Sequence, residues 1–236
     1  PKVYCDTDKN KVQDINEKAL TNNRTILNSQ EVYSILEAYG INVAPWNLLP
    51  TVDSAVSAAE AIGYPVVLKA DSEKIIHKSD SGGVVLNLKN SDELRKAANT
   101  MAENFNSDDL KFFVQKFLPG GKEVIIGATS EPGLGHLIMF GMGGVFVELL
   151  KDVAFCLTPV SRPEAKEMTE SIKTAKILTG YRGDKGVDIP GLIEIIQRIS
   201  QLVTENPQIG ELDLNPVAAF ESNVVVVDAR IKLQNI

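Results

Sequence analysis

The segment Glu211-Leu212-Asp213-Leu214-Asn215-Pro216, followed by Val224-Val225-Val226-Val227-Asp228, carries the densest chemical signal in the chain. Successive side chains of an extended strand point to opposite faces. That alternation places Glu211, Asp213 and Asn215 on one face, with Leu212 and Leu214 on the other. Asp228 ends a run of four valines that reads as a buried strand. If the two strands pair as a hairpin, Asn215 and Asp228 meet across it. A carboxylate and an amide carbonyl are hard oxygen donors suited to Mg²⁺, which leaves its remaining positions to water and phosphates. An aspartate at the end of so apolar a strand also needs a partner, because a buried unpaired charge is costly. The bland alternative is a solvated acidic hairpin.

Upstream of this pair, residues 111–117, 123–128 and 136–140 are three strand-like runs joined by glycine-containing turns, and 145–150 and 153–157 extend the series. Helical periodicity returns at 162–174 and 190–204. Earlier still, Ser29 opens an amphipathic helix over 30–39 that Gly40 closes, and 42–45 reads as a short extended piece. A helix over 53–61 is stopped by Gly63, strands follow at 65–70 and 83–87, and Ser91 caps a helix reaching about 104. Local alternation of helix and strand gives way to consecutive strands, which predicts an α+β fold in place of a doubly wound parallel sheet. The polar stretch 6–23 is expected as a linker from an upstream domain, the alternative being a helix that packs on the fold.

The 236 residues suffice for one large domain or two small lobes. A formal charge of −7 argues against a general nucleic-acid binder, which needs a basic face, and leaves a nucleotide site open. No apolar run approaches the roughly 20 residues of a membrane-spanning helix, so no membrane partner is expected. Cys5 and Cys156 read as reduced cytoplasmic thiols, and the polar N-terminal stretch does not resemble a secretory leader. Pro1 in place of a methionine is expected of a processed or excised chain.

Four further clusters carry chemistry. Lys69 leaves an apolar strand, where its ammonium either meets an anion or lies exposed at the strand end. His77 stands in the polar loop Ile75-Ile76-His77-Lys78-Ser79-Asp80-Ser81-Gly82-Gly83. Its imidazole suits a base or a phosphoryl acceptor near neutral pH, and Gly82 and Gly83 let backbone N–H groups face a phosphate. Gln115-Lys116-Phe117-Leu118 runs through a Pro-Gly-Gly turn to Glu123. Such a connector either presents backbone groups to a purine edge, with Glu123 near a ribose, or is an ordinary hairpin. The glycine loop 140–148, with Glu148, and Arg182 between Gly180 and Gly183 have the flexibility of phosphate loops but match neither a P-loop nor a dinucleotide fingerprint.

In their order along the chain, these motifs resemble the ATP-grasp domain of ADP-forming acyl-CoA synthetases, and more distantly succinyl-CoA synthetase β subunits. Residues 29–44 and Val124-Ile125-Ile126-Gly127 also look like that family. The resemblance covers about 27–232. It implies a 1–26 arm, then an ATP-grasp domain over 27–236 whose lobes, about 27–110 and 111–236, enclose a nucleotide cleft. By similarity, Lys69, Gly82 and Gly83 would contact ATP or ADP phosphates, Gln115, Lys116, Phe117 and Leu118 the adenine, and Glu123 the ribose. Asn215 and Asp228 would ligate Mg²⁺, His77 would carry phosphate as phosphohistidine, and Asp213 would orient it. The implied partner is a CoA-binding ligase module, on an α subunit or upstream in the same polypeptide. Two other readings stand beside this one: a catalytically degenerate regulatory module fused to an acetyltransferase, and a non-enzymatic assembly subunit.

Overall fold

The computed structural model describes residues 3–72, 82–144, 151–181, 183 and 185–235. Two compact units divide the chain, one formed by 44–119 and the other by 1–43 together with 120–236. The expected boundary near 110 therefore moves. Strand β4 (Lys111–Lys116) belongs with the strands before it, because it hydrogen-bonds between β1 (Trp46–Leu49) and β2 (Val66–Asp71).

In the smaller unit the sheet order is β1-β4-β2-β3, with β3 spanning Val84–Leu88, and the pairs are antiparallel. Helices α3 (Val52–Ile62) and α4 (Ser91–Phe105) cover one face. Their alanine-rich stripe, Ala55, Ala59 and Ala98, lets them approach Val66, Leu68, Ala70, Phe112 and Val114 closely. Thr51 caps α3 and Asn90 caps α4 by accepting backbone N–H bonds, so the second cap falls one residue before the expected Ser91.

The larger unit is built on a six-stranded antiparallel sheet. Its main path runs β10 (Ala229–Leu233), β8 (Ile209–Ala219), β5 (Lys122–Glu131), β6 (Gly135–Met142), β7 (Val153–Leu157), and β9 (Val224–Val226) pairs with β8. Helices α2 (Ser29–Ala38), α5 (Arg162–Ser171) and α7 (Ile189–Glu205) pack against this sheet, and the short α6 (Ala175–Thr179) contacts α5. The expected strand at 145–150 lies outside the described residues.

The segment expected as a linker contains a helix. Helix α1 (Lys9–Thr21) buries Val12, Asn16 and Ala19 and packs on α2. Most of its other residues are solvated, and polar ties to α7 add to the narrow buried stripe. Tyr4 exchanges two hydrogen bonds with Gln201, and Lys9 pairs with Glu205 at 2.7 Å. Arg198 is the centre of this attachment. It is buried, donates to Asp6, Glu194 and the Tyr39 carbonyl, and lies 4.0 Å over the Tyr4 ring. Gly40, just past α2, has φ +65, and an added Cβ there would lie 2.5 Å from the Arg198 guanidinium. The helix-closing glycine therefore also makes room for the arginine.

Replacing Arg198 with methionine keeps bulk but removes these donors. Asp6 and Glu194 are exposed enough to regain water, so the loss is expected at about 1–3 kcal/mol, read as a lowered urea midpoint. The more exposed Lys9→Ala is expected to cost under about 1 kcal/mol.

Candidate functional site

In the larger unit, β8 shows the alternation expected from its sequence: Leu212 and Leu214 are buried, while Glu211, Asp213 and Asn215 are exposed. On its β10 side, Leu214 stands opposite Ala229, Asp213 opposite Arg230, and Glu211 opposite Lys232. Farther along, Val217 pairs with Val226 of β9. Between these ladders the Asn215 N–H donates to the Asp228 carbonyl at 3.0 Å, and the Val227 N–H to the Pro216 carbonyl at 3.0 Å. The expected hairpin is present, and three polar rungs stack along it: Asn215 with Asp228, Asp213 with Arg230, Glu211 with Lys232. The third is closed by an ion pair of 3.2 Å.

The first rung fits a hard divalent cation. Asp228 is half-buried, and one of its carboxylate oxygens accepts the Ala229 N–H at 3.0 Å, which fixes the group's direction. Among the described residues no three His, Cys, Asp or Glu side chains group into a self-sufficient metal cage. Two oxygen donors suit Mg²⁺, which binds through one or two side chains plus phosphates and water.

Asp213 is exposed, yet the protein around its carboxyl disfavours ionisation and raises its pKa. The neighbouring Asp228 charge adds to the rise, and Arg230 across the ladder opposes it. The same sheet face continues away from the rungs. Register carries one row through Arg230, Asp213, Gly127, Met139 and Phe155. The face thus grades from charged at β10 to apolar at β7, where Phe155 and Leu157 are exposed.

Glu123, at the start of β5, is exposed, and its carbonyl accepts the Gly143 N–H at 2.8 Å. An added Cβ on Gly121 would come within 3.0 Å of the Phe220 ring, so the turn before Glu123 packs tightly. His136 is a structural residue, buried, with Nε2 2.7 Å from the Ile209 carbonyl.

In the smaller unit, Lys69, Gln115 and Trp46 lie on the face opposite α3 and α4. Lys69 faces Phe113 in the β2–β4 ladder, and its Nζ lies 5.6 Å from that ring's centre. Trp46 stacks on Phe113 with centroids 5.5 Å apart and planes 10° from parallel. Gln115 is fully buried, opposite Trp46 and Val67. The Lys116 ammonium is engaged by the Gly63 and Tyr64 carbonyls at 2.8 and 3.0 Å, so here it ties the end of β4 to the turn before β2. The Phe117 N–H donates to the Pro65 carbonyl, and Phe117 and Leu118 are half-buried. Gly82 has φ +76, a region that favours glycine, and the carbonyl of buried Gly83 accepts the Ala70 N–H. His77, Glu148 and Arg182 lie outside the described residues.

Sequence reasoning missed Arg230, Trp46 and Phe113. Arg230 follows Asp228 by two residues, and strand period alone would have set it on the Asp228 face. Trp46 and Phe113 are brought together only by β1–β4 pairing, for which the local sequence holds no signal.

The sequence profile of the ATP-grasp domain matches residues 18–233. The acetate–CoA ligase [ADP-forming] I subunit beta of Pyrococcus furiosus is 42% identical over 228 residues, covering 94% of this chain and 98% of the relative. The acetate–CoA ligase [ADP-forming] I of Archaeoglobus fulgidus is 44% identical over 231 residues, covering 96% of this chain but 33% of the relative. The chain thus spans about a third of the longer ligase and nearly all of the subunit. A solved chain of Ca. Korarchaeum cryptofilum dinucleotide-forming acetyl-coenzyme A synthetase 1 superposes with a TM-score of 0.85 at 42% identity, covering 94% of this chain and 100% of that one. That structure holds coenzyme A and Mg-AMPPCP, with its phosphohistidine segment pointing towards the nucleotide-binding site.

The raised pKa of Asp213 has a stability consequence. A carboxyl that holds its proton more tightly when folded loses stability as pH rises from the unfolded pKa through the native one. In magnesium-free buffer, Asp213→Asn is therefore expected to match wild type near pH 4 and to melt at the same or a higher temperature at pH 7. A lower Tm at pH 7 would make Asp213 a structural partner of Arg230.

Proposed function

This chain belongs to the ATP-grasp family, and from that membership we propose that it is the nucleotide-binding, phosphoryl-transferring module of an ADP-forming acyl-CoA synthetase. The proposed overall reaction is acyl-CoA + ADP + phosphate interconverting with acid + CoA + ATP. The observation that carries the reading is the first rung, where an amide and an oriented carboxylate stand opposite each other beside Asp213.

Asn215 and Asp228 would hold Mg²⁺, which offsets charge on nucleotide phosphates. Lys69 supplies a cation to the phosphates, while Gln115, Phe117 and Leu118 bound the base. Lys116 acts at one remove, by fixing the turn that Phe117 joins. Gly82 and Gly83 bring backbone towards phosphate, and Glu123 takes a ribose hydroxyl.

His77 is the carrier. A CoA-binding partner, either an α subunit or a fused module, forms an acyl phosphate from acyl-CoA and phosphate with release of CoA. Its own histidine takes the phosphoryl group as the acid leaves, and the group passes from that histidine to His77. In the second half-reaction the P–N bond of the phosphohistidine breaks as a P–O bond forms to a terminal oxygen of ADP. The imidazole nitrogen leaves with the electron pair. Asp213 in its ionised form accepts the N–H of the other ring nitrogen, which holds the ring's tautomer and direction. Catalysis of this kind rests on positioning and charge neutralisation more than on covalent help from the protein. Two free cysteines, Cys5 and Cys156, accord with action in the cytoplasm.

Titration calorimetry of the chain with ADP and ATP tests the reading. Binding is expected to need Mg²⁺ and to be lost in an Asn215→Ala/Asp228→Ala double variant that still melts cooperatively. With a partner module and labelled ATP, acid-labile label is expected on wild type and absent from His77→Asn. Equal binding with and without Mg²⁺, or a double variant that binds normally, would rule out the first rung as the metal site.

A further inference from the structure

The three rungs bring three carboxylates, Glu211, Asp213 and Asp228, against two cations, Arg230 and Lys232. Lys232 is committed to Glu211 at 3.2 Å. Arg230 makes no ion pair within 4.0 Å among the described residues. It is exposed, and its strand neighbours Ala229 and Ile231 are buried, so the backbone cannot turn it off this face without exposing them. The rung holding Asn215 and Asp228 is one same-face repeat away, about 7 Å along the strand. An extended arginine side chain reaches across such a repeat.

A phosphoryl group brought to the first rung faces Asp228 directly and Asp213 beside it. Like charges at that range repel, and the repulsion grows as water is excluded. Beside the Mg²⁺ and Lys69 of the functional reading, a further cation on this sheet relieves that repulsion, and a planar guanidinium can offer two parallel N–H donors to phosphate oxygens. We propose that Arg230 binds the terminal phosphoryl group of the nucleotide, and so distinguishes nucleoside triphosphate from diphosphate. This inference rests on the functional reading above. Arg230 would then touch the group in transit, holding it over the hairpin. The competing role is cross-strand screening of Asp213, an interaction that involves no ligand.

Calorimetry with Mg·ATP and Mg·ADP on wild type, Arg230→Gln and Arg230→Lys separates the two roles, with thermal melts to establish folding. Arg230→Gln is expected to weaken ATP by roughly tenfold or more, the scale of one lost charge-assisted contact, and to leave ADP within about twofold. Arg230→Lys, which keeps charge but not the fork, should recover part of the loss. If Arg230→Gln does not fold, Arg230→Lys carries the comparison, with an ATP-to-ADP affinity ratio several-fold below wild type. An equal loss for both nucleotides, or no loss, overturns the assignment while wild-type binding leaves the functional reading standing. A wild type that binds neither nucleotide defeats the functional reading and this inference together.

Discussion

The register of β8 is the constraint on which the larger unit depends. This strand hydrogen-bonds to β5 on one side and to β9 and β10 on the other, so its pleat is pinned along its whole length. A slip of one residue would turn Leu212 and Leu214 outward and bring Asp213 and Asn215 into the core. Burial of each leucine is worth about 2–3 kcal/mol, and burial of an unpaired carboxylate costs several more. No alternative register competes. The polar rungs owe their geometry to apolar neighbours that never touch a ligand.

The same logic explains what could be read from the sequence. Period-two alternation at 211–215 is a local signal, and both faces of the strand follow from it. The caps of α2, α3 and α4 were legible for the same reason, to within a residue, whereas Lys69, expected at a strand's exit, lies within β2 between Val84 and Phe113. The consecutive strands from 111 onward carried the α+β class. Sheet order was not legible, because nothing local states that β8 inserts between β5 and β10. Consequently the pairing of Arg230 with Asp213, and the stack of Trp46 on Phe113, were beyond reach. Lys116 illustrates the limit differently. Named only by resemblance as part of the adenine hinge, it carries no local signal that its ammonium finds two carbonyls contributed by residues more than 50 positions earlier.

The N-terminal segment misled for an energetic reason. Low hydrophobicity ordinarily signals a chain that cannot offset the entropy of ordering. Here α1 buries only a narrow stripe, and the balance comes from directed polar contacts converging on Arg198, Gln201 and Glu205 of α7. Those residues sit on a helix that also packs into the core, with Ile195, Ile196, Ile199 and Leu202 buried. A helix so anchored can bind a polar segment by its rim. Composition alone registers the absence of apolar residues in the segment and says nothing of a receptive surface elsewhere.

The division between faces of the β8–β10 hairpin also separates stability from chemistry. Side chains that stabilise the fold, Leu212, Leu214, Ala229 and Ile231, alternate with Asp213, Asn215, Arg230 and Lys232, which contribute little to it. Asp213 even works against folding once ionised, since protein around it raises its pKa. On the functional reading proposed above, a cation brought in with nucleotide phosphates would offset that cost. Because no core contact depends on the exposed rungs, their charges can be set for a transferring phosphoryl group while the hairpin beneath stays rigid enough to hold them in place.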